Sequence, residues 1–190
     1  MKEKKYELTD ETIDVDGHTL HRIKAVKDFG DVKKGDFGGF IEKRGNLDQT
    51  GNCWVYDNAK ILDNAKVYGD ARVRDDAMAW GNSCIYNNAD ICDNAHLANN
   101  AKVCGGTVRG RALLLRNASI SSDNDYITFE PTRLITPTVF KCIDSTVMVV
   151  CDGFVGTLDE FEAYIKNHYN NDYIERYVEI IKTARKHFKL

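Results

Sequence analysis

Residues 55–106 read VYDNAK-ILDNAK-VYGDAR-VRDDAM-AWGNSC-IYNNAD-ICDNAH-LANNAK-VCGG, a six-residue phrase given eight times and then begun again. An aliphatic column runs through Val55, Ile61, Val67, Val73, Ala79, Ile85, Ile91, Leu97 and Val103. Four residues after each comes a small one: Ala59, Ala65, Ala71, Ala77, Ser83, Ala89, Ala95 and Ala101. A unit this short cannot bury its own apolar side chain, so it must stack on its neighbours as a solenoid. The pair before each small residue is DN, GD, DD, GN or NN. Asn, Asp and Gly accept left-handed backbone conformations, so each pair predicts a corner.

After Val103 the aliphatic positions are Val108, Leu114 and Ile120, with Ala112 and Ala118 as small partners. One residue is therefore missing near Gly105-Gly106, which predicts a tightened corner. Twelve hexads give about four coils of three sides each.

The [LIV]-x-x-x-[STA]-x pattern over residues 52–122 resembles the hexapeptide-repeat family, whose members fold as left-handed parallel β-helices. The resemblance implies eighteen-residue triangular coils stacked at the ~4.8 Å strand spacing. Its hand is the family's, since crossovers between parallel strands are otherwise right-handed. The stretches KYELTDETIDVDG, GDFGGFIE, GNCWVYDNA and GTLDEFEAYIKNHY together resemble a narrower bacterial and phage group within it, uncharacterised or loosely labelled transferase-like.

An open solenoid exposes strand edges at both ends and needs covers. The expected organisation is a β-hairpin and Gly-rich cap over 1–50, the β-helix over 51–122, and an α/β cap with two helices over 123–190. Asp16-Gly17 marks the hairpin turn between Thr12–Val15 and His18–Ile23. The glycines from Gly30 to Gly39 open no helix with Gly-Lys-Ser/Thr, so they are read as turn and packing residues rather than a phosphate loop. Strands are expected near Tyr126–Phe129, Thr138–Cys142 and Thr146–Cys151. Thr157 and Glu160 form a capping box for a helix ending near Tyr169, with Leu158, Phe161, Ile165 and His168/Tyr169 on its apolar stripe. A second helix is expected over Asp172–Phe188, with Ile174, Tyr177, Val178, Ile181 and Phe188 on one face.

The chain has 190 residues, 26 basic against 29 acidic, with 43% hydrophobic content. Residues 51–120 hold eight Lys/Arg and seven Asp/Glu, which argues against duplex nucleic acid as a partner. No apolar run approaches a membrane span and the N-terminus has no apolar leader segment, so the expected location is the cytoplasm. The six cysteines make no CxxC pair or metal set, so no metal is expected and reduced thiols are. Cys53, in the small-residue column, is read as packed; Cys92 and Cys104 are read as outward free thiols.

Residues eighteen apart share a face of the prism. Tyr68 and Tyr86 then form a ladder under Cys104; Leu62, Trp80 and Ala98 line a second face; Tyr56, Arg74 and Cys92 line the third. Exposed aromatics beside arginine suggest contact with a partner. The first reading is thus a non-catalytic, oligomeric binding protein, a dimer or trimer, with Trp80, Tyr86, Tyr68, Arg74 and Tyr56 at an interface or ligand site. The resemblance to the bacterial and phage group implies that the ligand would be nucleotide-like or the partner a bacterial protein, as in phage counter-defence, and no cofactor is needed.

The alternative comes from the family resemblance, which implies acyl-CoA-dependent acyltransferases working as trimers with a histidine base. His96 is the one histidine in the solenoid and would be that base, acetyl-CoA the donor. Against it, His96 sits in an outward column with Lys60, Lys66, Arg72, Met78, Cys84, Asp90 and Lys102, where it reads simply as one more polar residue. No long loop interrupts the hexads, and four coils offer a short groove.

Overall fold

In the computed structural model, residues 4–131, 136–169 and 171–190 are described. The protein is mainly β: a left-handed parallel solenoid of about four turns between an N-terminal β cap and a C-terminal α/β cap.

The chain enters through the antiparallel hairpin β1 (Tyr6–Val15) and β2 (His18–Ala25), then β3 (Phe37–Ile41). Asp16 and Gly17 both take positive φ at its tip, as their residue types predict. The solenoid follows as twelve two-residue strands: β4 (Trp54–Val55), β5 (Lys60–Ile61), β6 (Lys66–Val67), β7 (Arg72–Val73), β8 (Met78–Ala79), β9 (Cys84–Ile85), β10 (Asp90–Ile91), β11 (His96–Leu97), β12 (Lys102–Val103), β13 (Thr107–Val108), β14 (Leu113–Leu114) and β15 (Ser119–Ile120). The last segment carries β16 (Tyr126–Thr128), β17 (Thr138–Lys141), β18 (Val147–Cys151), β19 (Phe154–Thr157), α1 (Leu158–His168) and α2 (Asn171–Phe188).

Every third solenoid strand pairs in parallel, giving three faces. Face A is β5-β8-β11-β14, face C is β6-β9-β12-β15, and face D is β4-β7-β10-β13. Pairing steps by eighteen residues below Gly105, as in Lys60↔Met78 and Met78↔His96. It steps by seventeen above, as in His96↔Leu113 and Lys102↔Ser119. The missing residue is absorbed at Gly106, where φ is +71° and a Cβ would meet backbone at 2.9 Å.

The interior follows from the two columns. All nine aliphatic members from Val55 to Val103 are at most 1% exposed, and the small column is as deeply buried. Corners use the left-handed conformation at Asp57, Asp63, Asp75, Asn87, Asp93 and Asn99, and at Gly69 and Gly81. Their side chains also ladder between coils: Asp75 N–H donates to Asp57 Oδ2 at 3.2 Å and Asp93 N–H to Asp75 Oδ2 at 3.0 Å. Asn64, Asn82, Asn100 and Asn117 continue a second ladder at 3.3–3.4 Å. Ser83 is the exception in the small column; its hydroxyl is buried with no partner among the described residues.

The hairpin caps the open end by continuing one face, and its Tyr6, Ile23 and Ala25 join the main core there. β3 pairs with β5 in parallel, so β1-β2-β3 extend face A into a seven-stranded sheet. Gly38 and Gly39 permit that join: a Cβ on Gly38 would meet Val55 O at 2.4 Å, and one on Gly39 would meet Ala59 O at 2.5 Å. Trp54, in the outward register of Arg72, is buried there, with Tyr6 and Phe29 packing edge-on against it at 6.2 and 5.3 Å. Lys5, 1% exposed, donates from Nζ to Cys53 O at 2.8 Å. At the other end Tyr126, Phe140, Cys142 and Val150 join the main core and close it.

The C-terminal cap has its own core of Val139, Val149, Leu158, Phe161, Ile165, Tyr177, Ile180, Ile181 and Ala184. The Thr157–Glu160 capping box is present, with Glu160 N–H donating to Thr157 Oγ1 at 3.2 Å. Two readings need correction. β19 is an additional strand, pairing with β18. His168 is exposed rather than on the apolar stripe, stacked on Tyr164 at 4.0 Å.

Candidate functional site

The inward side of each hexad is spent on the core, so chemistry must come from the outward columns. The pairings place Phe40, Lys60, Met78, His96 and Leu113 in one column of face A. Leu62, Trp80, Ala98 and Leu115 run beside it on the other side of the aliphatic column. The far half of the hairpin folds over the lower part of this face. Ile13, Val15 and Leu20 pack with Phe40, Leu62, Met78 and Trp80 into a small second core. The irregularity between Leu8 and Thr12 in β1 is where the hairpin bends away from regular pairing.

His96 lies at the upper margin of that covered patch. It is half-buried, its ring meeting Trp80 edge-on at 5.6 Å and 75°. Neither ring nitrogen has a hydrogen-bond partner among the described residues. Burial lowers its pKa from the usual 6.5, and the positive charge of Lys60 lowers it further. The imidazole is therefore neutral near pH 7 and keeps a lone pair. The adjoining strand β14 is bound to the C-terminal cap, Leu113 N–H donating to Thr138 Oγ1 at 3.1 Å.

Face C carries the other candidates. Tyr68 and Tyr86 stack at 5.0 Å with 5° between rings, the predicted ladder. Burial raises both hydroxyl pKa values. Lys66 and Lys102 stand exposed beside them, with Cys84 between on the shared column. Among the described residues no hairpin or loop is laid over these rings.

Face D is engaged internally. Arg74 donates through Nε and Nη2 to both oxygens of Asp90, each at 3.0 Å, which holds its pKa up. Tyr56 donates its hydroxyl to Asp31 at 2.8 Å, and burial together with that carboxylate raises its pKa. Arg72 lies 3.7 Å from the same Asp31.

The candidate residues therefore do not form one site. Tyr68 and Tyr86 stand together, Trp80 belongs with His96, and Arg74 and Tyr56 are apart on face D. None of the three aromatics Tyr68, Trp80 and Tyr86 is fully exposed, and Trp80 is partly covered by the hairpin. All six cysteines are free thiols, with Cys53 packed as expected. Cys92, expected outward and free, is 3% exposed, because it is a small side chain between the rungs of Arg74 and Arg109.

One cluster escaped the sequence reading because its members come from three separate segments. His18 Nδ1 lies 3.1 Å from Glu42 Oε1, and Nε2 lies 3.8 Å from Asp63 Oδ1. Glu42 also accepts from Asp63 N–H at 2.5 Å, so the group clasps the hairpin to the first coil. The hydrogen bond to Glu42 is the main reason the His18 pKa is raised.

The class of protein defined by these features is a short, capped hexad solenoid with a covered and a bare face. No protein-family model matches the chain, and no curated protein matches it. Among the described residues no helix is long and apolar enough to cross a membrane.

Proposed function

We propose that the protein is an acyltransferase that moves an acyl group from coenzyme A to a hydroxyl or amine, with His96 as general base. The observation that carries this reading is the state of His96: half-buried, held edge-on by Trp80, with both ring nitrogens unpartnered among the described residues and a lowered pKa. A base of this kind can accept a proton within hydrogen-bond reach at neutral pH. The hexad solenoid fits, because many members of the family it resembles are acyltransferases that bind acyl-CoA between coils of adjacent subunits.

In the proposed reaction the acceptor's O–H or N–H faces one imidazole nitrogen. As oxygen or nitrogen attacks the thioester carbonyl, its proton passes to His96. The tetrahedral intermediate collapses with cleavage of the carbon–sulfur bond, and the imidazolium returns the proton to the leaving thiolate. The apolar surroundings from Met78, Trp80 and Leu113 would favour the neutral form of the base and exclude water. Uninterrupted corners on the solenoid leave the hairpin, the C-terminal cap or a second protomer to shelter the acceptor.

The test is release of free coenzyme A from acetyl-CoA with a panel of amino and hydroxyl acceptors. Acceptor-dependent release is expected, falling by about 10²-fold or more in His96→Gln, within the range for losing a general base. Release that is unchanged in His96→Gln, or no release with any acceptor, would overturn the assignment.

The non-catalytic binding reading retains one specific observation, the stacked pair Tyr68–Tyr86 on the uncovered face C. Under it this face would take a ligand or a second copy of the chain.

A further inference from the structure

The tyrosine ladder ends at a cavity. The segment Arg44–Gln49 makes an incomplete rung below face C: Leu47 bridges Val67 in parallel, and Asp48 N–H donates to Val67 O at 2.9 Å. In register with Tyr68 stands Asp48, whose short side chain cannot cover a phenol ring. Tyr86 covers one side of Tyr68; the rung below leaves a hollow of about 310 Å³ that Tyr68 also lines. Arg44, Lys66, Leu47, Asp48 and Gln49 share the lining.

Its charges are unbalanced. Arg44 and Lys66 are exposed, and neither has an ion-pair partner among the described residues. Asp48 spends one carboxylate oxygen on Thr50 N–H at 3.0 Å. Two cations against one carboxylate leave the hollow net positive beside an aromatic face. Arg74, by contrast, already has its charge paired with Asp90 and Asp75.

We infer that this hollow is a binding site for a planar aromatic anion of the mononucleotide class, its ring on Tyr68 as the next member of the stack and its phosphate between Arg44 and Lys66. Stacking on an aromatic side chain tolerates any base, and Arg holds phosphate oxygens through paired donors. The volume lies at the lower end of small-ligand sites, fitting one nucleotide rather than two. The site lies on face C and the His96 assignment on face A, so the two stand or fall separately.

Titration of the intact protein with AMP, adenosine and inorganic phosphate, followed by NMR of the tyrosine ring protons, tests the site. AMP is expected to shift the Tyr68 and Tyr86 signals, with adenosine and phosphate alone binding at least about tenfold more weakly. Tyr68→Leu, which keeps an apolar side chain at that position, should weaken AMP about tenfold, within the range for losing a stacked base. Arg44→Gln with Lys66→Gln should make AMP bind no better than adenosine. No shift with AMP at millimolar concentration would overturn the inference. So would equal binding by a folded Tyr68→Leu variant, or adenosine matching AMP in the wild type.

Discussion

Faces A and C are built from the same hexad and carry different outward columns. On face A the hairpin buries Leu20, Phe40 and Leu62 and reaches Met78 and Trp80, so that outside surface is a second core. On face C, Tyr68 and Tyr86 cover each other and little else covers them. The backbone period constrains the inward and corner positions and leaves the outward ones free. One face can therefore be given to stability and shelter while the other stays open to a ligand.

The largest expected effect breaks that comparison on face A. Phe40→Ala should lower unfolding free energy by about 3–5 kcal/mol, the range for a buried aromatic. Tyr68→Ala on face C should cost about 0.5–1.5 kcal/mol, the range for a stacked aromatic pair. Urea unfolding of both variants measures this; equal losses would show that face C is no less covered than face A.

A smaller effect concerns the interior that both faces share. Ser83→Ala removes a buried hydroxyl without a partner and restores the small residue found elsewhere in the column. Stability should rise by about 1 kcal/mol, since an unpaired buried polar group carries its desolvation cost. A loss of stability on thermal or urea unfolding would mean that the hydroxyl is satisfied in solution.

The smallest effect sits at the clasp between hairpin and coil. Glu42 raises the His18 pKa, so the clasp is complete below about pH 6.5, the unfolded value, and is lost as pH rises through the folded value. His18→Gln should lower stability near pH 5 and leave it unchanged near pH 9. A variant that loses stability equally at both pH values would show packing rather than charge at that position.

The solenoid was legible because its rules are local. The small column, the Asx corners and the one-residue deletion each show in the letters, and the coil count follows from them. The hairpin turn and the capping box were legible for the same reason. What the letters did not reveal depends on how separate segments meet. That β3 extends face A, that the hairpin folds over Trp80, and that Glu42 reaches both His18 and Asp63 follow from long-range pairing. Arg74 looked available to a ligand, but Asp90, sixteen residues on, engages its Nε and Nη2, and Asp75 its Nη1. Of the candidate sites, the tyrosine ladder was readable from the eighteen-residue spacing. The hollow beneath it was not, because Arg44–Gln49 lie outside the hexad pattern.

The central claim, that His96 is a neutral base on face A, is tested most directly by the pH dependence of kcat/KM for acyl transfer. His96 must be unprotonated to act, and burial lowers its pKa. The rate should therefore hold from neutral pH down past about 6.5 and fall only at a lower pH, with that acid limb absent from any residual activity of His96→Gln. An acid limb at or above about 6.5, or one that persists in His96→Gln, would contradict the account.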